Sequence, residues 1–201
     1  MITVGGTEAI EGGTAFLDDR QGTRWLGTWF GLYRHDPVAG RFMRVEIGPY
    51  PRSHLASHVR KIYEDHAGAL WVATLNGLFR LDPQTSPFRH VGQAPATPDT
   101  PALPPIMSIW PDGAEALWLG TFGEGLMRAD LRSGHIMPYR PARGGTCTGL
   151  VWAVYETSSL PGTLWLGGGL ELDGKETSLC TLDRRTGTFT AHDVPPNAAG
   201  Q

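Results

Sequence analysis

A tryptophan returns through this chain at an almost fixed interval, and that period restricts the fold more than any other feature. Trp25, Trp71, Trp118 and Trp165 stand 46, 47 and 47 residues apart. Each opens a similar tetrapeptide: Trp25-Leu26-Gly27-Thr28, Trp71-Val72-Ala73-Thr74, Trp118-Leu119-Gly120-Thr121 and Trp165-Leu166-Gly167-Gly168. A turn follows, and then a second apolar run that ends in aspartate at Asp36, Asp82, Asp130 or Asp183. These aspartates lead into Pro, Ser, Thr and Gly residues. A carboxylate there accepts bonds from nearby backbone N–H groups while Pro or Gly fits the turn dihedrals.

A further apolar residue, Phe42, Phe88, Ile136 or Phe189, begins a fourth segment, and Phe16, Ile62, Ile109 or Val154 marks a segment before each tryptophan. Segments such as Val59-Arg60-Lys61-Ile62-Tyr63 and Leu150-Val151-Trp152-Ala153-Val154-Tyr155 carry the β-branched and aromatic residues that strands favour. Each unit therefore holds four short strands, and a repeat of this length built of four antiparallel strands is the mark of a propeller blade. A helical solenoid needs apolar positions at helical spacing over ten or more residues, whereas Gly or Pro interrupts this chain too often for that. The expected fold is all-β: one propeller segment over 1–201, with blades near 13–48, 57–93, 104–140 and 149–194.

The repeated positions read first as structure. A flat indole buries a large apolar area between neighbouring sheets, and a glycine after it lets the sheets approach. Cys180 falls in register with Tyr33, Phe79 and Met127, an apolar position, so it reads as a buried free thiol in preference to a bridge with Cys147. Gly120 to Gly125 resembles a phosphate loop only in its glycines, because it precedes a strand and not a helix. With a net charge of −3 over 201 residues the chain lacks the basic excess of a nucleic-acid binder. No run approaches a membrane span, and Met1 to Gly13 lacks the form of a secretory signal. His54 and His58 lie four apart without a third ligand, so no metal, no cofactor and no catalytic residue is assigned.

Function on a repeated scaffold belongs where the repeats differ, in the loops. The connection between second and third strands and the connection entering the next blade open on one face of a propeller. There the sequence places Trp29, Phe30, Asn76, Phe122, Glu124, Glu171 and Asp173, and the entering connections add His54, His58, Arg60 and Trp152. Rings beside amides, carboxylates and cations suit a small molecule or glycan, or a peptide. An enzyme of the lyase or hydrolase kind would draw on His54, His58, Glu124 and Glu171, and a protein-interaction scaffold would show a broad apolar face.

The run Ile62-Tyr63-Glu64-Asp65, Gly68, Leu70-Trp71-Val72-Ala73-Thr74, Gly77-Leu78-Phe79-Arg80 and Asp82-Pro83 closely resembles the two-component regulator propeller repeat. The first repeat matches through Asp19, Gly22, Trp25 to Thr28 and Gly31 to Asp36, and the third through Trp118 to Thr121 and Gly125 to Asp130. The fourth departs by insertions before Trp165 and after Gly169. The resemblance implies an extracytoplasmic, periplasmic sensor region of a histidine kinase, linked to glycan use and passing its signal to downstream domains of the parent chain. Four blades leave three arrangements: a four-bladed ring, a homodimer completing a larger ring, or part of a longer propeller. The last is the expectation. Ile2-Thr3-Val4 is a candidate closing strand for the last blade.

Overall fold

The computed structural model describes residues 3–4, 8–9, 12–47, 58–82, 85–91, 103–140, 147–172 and 174–193. Every element among them is a strand. A short hairpin, β1 (Thr3–Val4) and β2 (Glu8–Ala9), precedes four antiparallel blades. Blade 1 is β3 (Gly13–Asp18), β4 (Arg24–Thr28), β5 (Gly31–Asp36) and β6 (Arg41–Val45). Blade 2 is β7 (Val59–Glu64), β8 (Leu70–Thr74), β9 (Gly77–Asp82) and β10 (Thr85–Val91). Blade 3 is β11 (Ile106–Asp112), β12 (Ala116–Gly123), β13 (Leu126–Asp130) and β14 (Ile136–Pro138). Blade 4 is β15 (Cys147–Glu156), β16 (Thr163–Leu172), β17 (Lys175–Asp183) and β18 (Thr188–His192). Within each blade sequential strands pair, so every connection is a hairpin.

The indoles do the work expected of them at three places. Trp25, Trp71 and Trp118 are buried, and each joins an apolar cluster shared with the following blade. A Cβ on Gly27 would run into the Val59 side chain of blade 2, and one on Gly120 into Val151 of blade 4. These glycines therefore set how closely successive sheets approach. Trp165 differs. It is only half-buried, it stacks on His192 with ring centroids 5.3 Å apart, and a Cβ on Gly167 would meet only Ala153 of its own blade. At the opposite end Phe16 is 58% exposed, whereas its counterparts Ile62, Ile109 and Val154 are buried. Among the described residues no apolar cluster joins blade 4 to blade 1, so the arc is open. The expected closing strand does not serve blade 4: Val4 pairs in parallel with Phe42 on the outer edge of blade 1. An exposed outer edge was the nearer partner for an N-terminal segment joined to β3 by a few residues.

Two side-chain devices repeat with the tryptophans. Asp19 accepts bonds from the backbone N of Gln21 and Thr23 on one oxygen and from Trp25 Nε1 on the other, at 3.0, 2.8 and 2.8 Å. Asp65 does the same for Ala67, Ala69 and Trp71, at 2.9, 2.9 and 2.8 Å. One carboxylate thus closes the hairpin turn and fixes the rotamer of the indole that the next blade packs on. In blade 3 the aligned Asp112 is drawn away by Arg128 and Arg184, and Trp118 Nε1 is left without a partner. Arg184 also holds Glu156, so this ion network ties blade 3 to blade 4 where the first two blades use the indole latch. The second device is a threonine that ends β4 and β8 and stands two residues before the end of β12: Thr28, Thr74 and Thr121 donate to the carbonyls of Gly31, Gly77 and Gly125.

Loss of the latch in Asp65→Ala leaves a buried indole N–H and two turn N–H groups unpaired and is expected to cost about 2–4 kcal/mol of unfolding free energy in denaturant titration. Asp19→Ala, in the less buried equivalent turn, is expected to cost less. A second outcome concerns pH. Asp36, Asp130 and Asp183 accept backbone N–H bonds that hold their carboxyls below the ordinary value of 3.8. A lowered folded-state value means stabilisation that is complete above the unfolded value and is lost as pH falls through the folded one. Thermal midpoints should therefore drop as the pH is taken below about 4, and the triple Asp→Asn variant should show a flatter profile.

Candidate functional site

The first strand of each blade carries an irregularity at the same register. Pairing skips one residue between Gly13 and Ala15, between Val59 and Lys61, between Ile106 and Ser108, and between Val151 and Ala153. The four bulged residues are Thr14, Arg60, Met107 and Trp152. A bulge bends its strand and re-aims one side chain. Each lies beside an equivalent pair, Gly13 with Thr28, Val59 with Thr74, Ile106 with Thr121 and Val151 with Gly168. The first two of these pairs end the second strand, whereas β12 and β16 run on past theirs, and all four lie in the half of the second strand nearer the second-to-third turn. The first strands are also neighbours from blade to blade, which makes them the inner lining of the fan: Thr14 Oγ1 donates to the Val59 carbonyl at 2.5 Å.

Contacts at this end gather several of the residues singled out in the sequence. The Arg60 guanidinium lies over the Trp152 ring, 5.0 Å from its centroid, and joins blade 2 to blade 4 across the intervening blade. Trp152 is 47% exposed, and the Nε of Arg60 is buried with no hydrogen-bond partner. Trp29, in the turn after β4, meets the His58 ring edge-on at 5.8 Å and rests against Gly12, where a Cβ would sit 3.1 Å from the indole. Phe30 is exposed in the turn after β4, and Phe122 is exposed near the end of β12. The Asn76 carbonyl is 2.8 Å from His90 Nε2, a contact absent from the sequence reading because His90 arrives from a different strand. Three of the four bulge positions share one offset from their tryptophan, eleven residues, and the mismatch of Thr, Arg and Met at that offset was the available signal.

Other candidates fall elsewhere. His54 and Asp173 lie outside the described residues. Gly169 to Leu172 and Lys175 to Glu176, expected as a loop, are instead strand extensions of β16 and β17. Cys147 to Leu150 of β15 pairs with Gly169 to Leu172 of β16, and that pairs with Lys175 to Thr177 of β17. No threonine latch can end β16 because Gly168 stands in its place, so the hairpin runs on. This arm also joins blade 3 through Phe122 with Leu150 and Gly123 with Gly149, and Glu124 bridges Gly149. Glu124 is exposed at that edge. Glu171 is exposed on the arm, where with Glu176, Thr177, Ser178, His192 and Asp193 it lines a cleft of about 630 Å³. None of the other described candidates lines that cleft. Among the described residues no three His, Cys, Asp or Glu side chains gather as a metal site, and no helix is long and apolar enough to cross a membrane.

No family model and no curated protein matches the chain. Solved structures do. The extracellular domain assigned to the hybrid two-component system BT3049 of B. thetaiotaomicron superposes with a TM-score of 0.71 at 21% identity, covering 94% of this chain and 25% of that one. The extracellular domain assigned to the one-component system BT4673 of the same organism gives 0.71 at 18% identity, covering 99% and 24%. A catalytically inactive virginiamycin B lyase from Staphylococcus aureus gives 0.59 at 18%, covering 95% and 59%. The chain thus spans about a quarter of the length of the two extracellular domains. It has the fold of these propeller proteins.

If the mouth aromatics are not part of the packing that holds the blades, their loss should leave the fold intact. Trp152→Ala is expected to change unfolding free energy by about 1 kcal/mol or less, since an exposed cation–π contact contributes about that. Trp71→Ala, in contrast, should cost about 3–5 kcal/mol in the same titration.

Proposed function

We propose that the chain is the ligand-recognising part of an extracytoplasmic sensing propeller, and that it takes a small saccharide-like molecule at the end of the fan where Arg60, Trp152, His58, Trp29, Phe30, Asn76 and Phe122 lie. The observation that carries this reading is the pairing of exposed rings with a buried, unpartnered guanidinium N–H. Sugar C–H faces pack on aromatic rings, and a guanidinium donates to hydroxyl oxygens in a fixed plane. A peptide would need a longer groove or an open strand edge at the same end.

A route for signalling follows from the same contact. Arg60 and Trp152 belong to blades 2 and 4, so a ligand that competes for either group alters how these blades are held relative to each other. Fold similarity to extracellular domains of regulatory systems supports a partner downstream in a longer parent chain. The uncovered faces at Phe16 and Trp165 suit further blades of that chain. A lyase or hydrolase has less support, although a lyase shares the fold. His58 packs on Trp29 in blade 1, while Glu171 lies on the blade 4 arm, and a general acid and base must reach one substrate position.

Isothermal titration against a panel of mono- and oligosaccharides is expected to give heat for at least one member. Arg60→Ala should then weaken that binding about tenfold or more, the equivalent of about 1.4 kcal/mol. Absence of heat from every member would remove the saccharide reading.

A further inference from the structure

Cys147 is the first residue of β15 and Cys180 lies in the middle of β17, with β16 between them. Two residues on strands that are not neighbours do not ordinarily touch. They meet here because the sheet folds back on itself. Pairing of β15 with β16 shifts at Trp152, and pairing of β16 with β17 shifts between Gly167 and Leu170. A Cβ on Gly168 would collide with the Leu150 carbonyl, one on Gly149 with the Gly169 carbonyl, and one on Gly125 with the Cys147 carbonyl. Glycine at these three positions allows the arm to turn back over the blade and carry the Cys147 side chain down into the core.

The result is a contact of 2.8 Å between the two sulfurs, 33 residues apart in sequence, at 3% and 0% exposure. Non-bonded carbon atoms pack at about 3.5–4.0 Å, and sulfur is larger. Two cysteines that served only as small apolar fillers, as the register of Cys180 implied, would stand at full van der Waals distance. The surroundings are Val151, Val154, Leu166, Leu170 and Leu182, which supply neither a base nor a metal ligand. The contact with the Cys180 sulfur, and then burial, push the Cys147 thiol above its ordinary range, while the same contact draws the Cys180 thiol below its own.

We propose that Cys147 and Cys180 are joined in the mature protein as a disulfide that staples the blade 4 arm to the core of its own blade. The oxidant is of the disulfide class, a small-molecule disulfide or a thiol–disulfide oxidoreductase. One cysteine, as thiolate, attacks a sulfur of the oxidant and releases its first thiol. The second cysteine, as thiolate, then attacks the sulfur of the first, forms the Cys147–Cys180 bond and releases the other oxidant sulfur as a thiol. Two electrons and the two cysteine protons pass to the oxidant. Because both sulfurs are buried, exchange takes place during folding or while the arm is open, and the finished bond resists reductant in the native state. An oxidising compartment suits such a bond, but the assignment stands on the sulfur contact and is independent of which ligand the mouth takes.

The full chain refolded in a glutathione redox buffer tests this. The expected product is lighter than the reduced chain by two hydrogen atoms. It has no alkylatable thiol under denaturant, yields one non-reduced peptide pair containing Cys147 and Cys180, and melts about 5 °C or more above the reduced protein. The Cys147→Ser/Cys180→Ser variant should melt at one temperature with and without reductant. Two alkylatable thiols in folded, oxidised protein would overturn the bond, and a bond that leaves the melting temperature unchanged would overturn the staple. Neither result bears on saccharide binding by the reduced chain, so the two readings fail separately.

Discussion

Contact between successive blades through a buried indole is the interaction on which the rest of the structure depends. A single four-stranded sheet of this size cannot cover its own apolar faces. Trp25, Trp71 and Trp118 supply the area that holds each sheet against the next, and Gly27 and Gly120 give Val59 and Val151 the space to reach it. Asp19 and Asp65 then fix the orientation of the first two rings. Turn, rotamer and interface are thereby set by one short motif. Its repetition brings the first strands together at the inside of the fan, and so the bulged residues Thr14, Arg60, Met107 and Trp152 to a common end.

The same design leaves function to the places where the motif relaxes. The bulges carry four chemically unlike side chains on equivalent backbone positions, which is how a repeated scaffold presents an asymmetric surface. Blade 4 relaxes furthest. Without a threonine at position 168 the turn is not tied, the hairpin extends, and the arm lies against blade 3 while walling a cleft of its own. Blade 3 shows that equivalent residues do not always make equivalent bonds. Asp112 occupies the latch position but serves Arg128 and Arg184, since two guanidinium groups outcompete one indole N–H for a carboxylate.

Reading the sequence recovered the blades because the tryptophan motif is local and repeated, and each copy checks the others. The exposed aromatics Trp29, Phe30, Phe122 and Trp152 stand out for a related reason: they interrupt the repeat where no core role awaits them, the first two in a turn and the others on β12 and at the β15 bulge. The N-terminal segment was placed less well: Val4 was offered to the last blade although it pairs with the first. His90 near Asn76 was not foreseen, and the meeting of Cys147 with Cys180 was weighed and set aside, because each joins residues from strands that a period cannot relate.

By itself, then, the sequence determined the strand order, the blade period, the turns and the faces that pack, all of which follow from spacing along the chain and from which side chains water excludes. Tertiary structure alone decided which loop residues become neighbours, that Arg60 reaches Trp152 across an intervening blade, and that the fourth sheet folds back until two sulfurs touch. The reason is physical: these contacts depend on the angle between sheets and on bulges that re-aim single side chains, and neither leaves a period in the sequence.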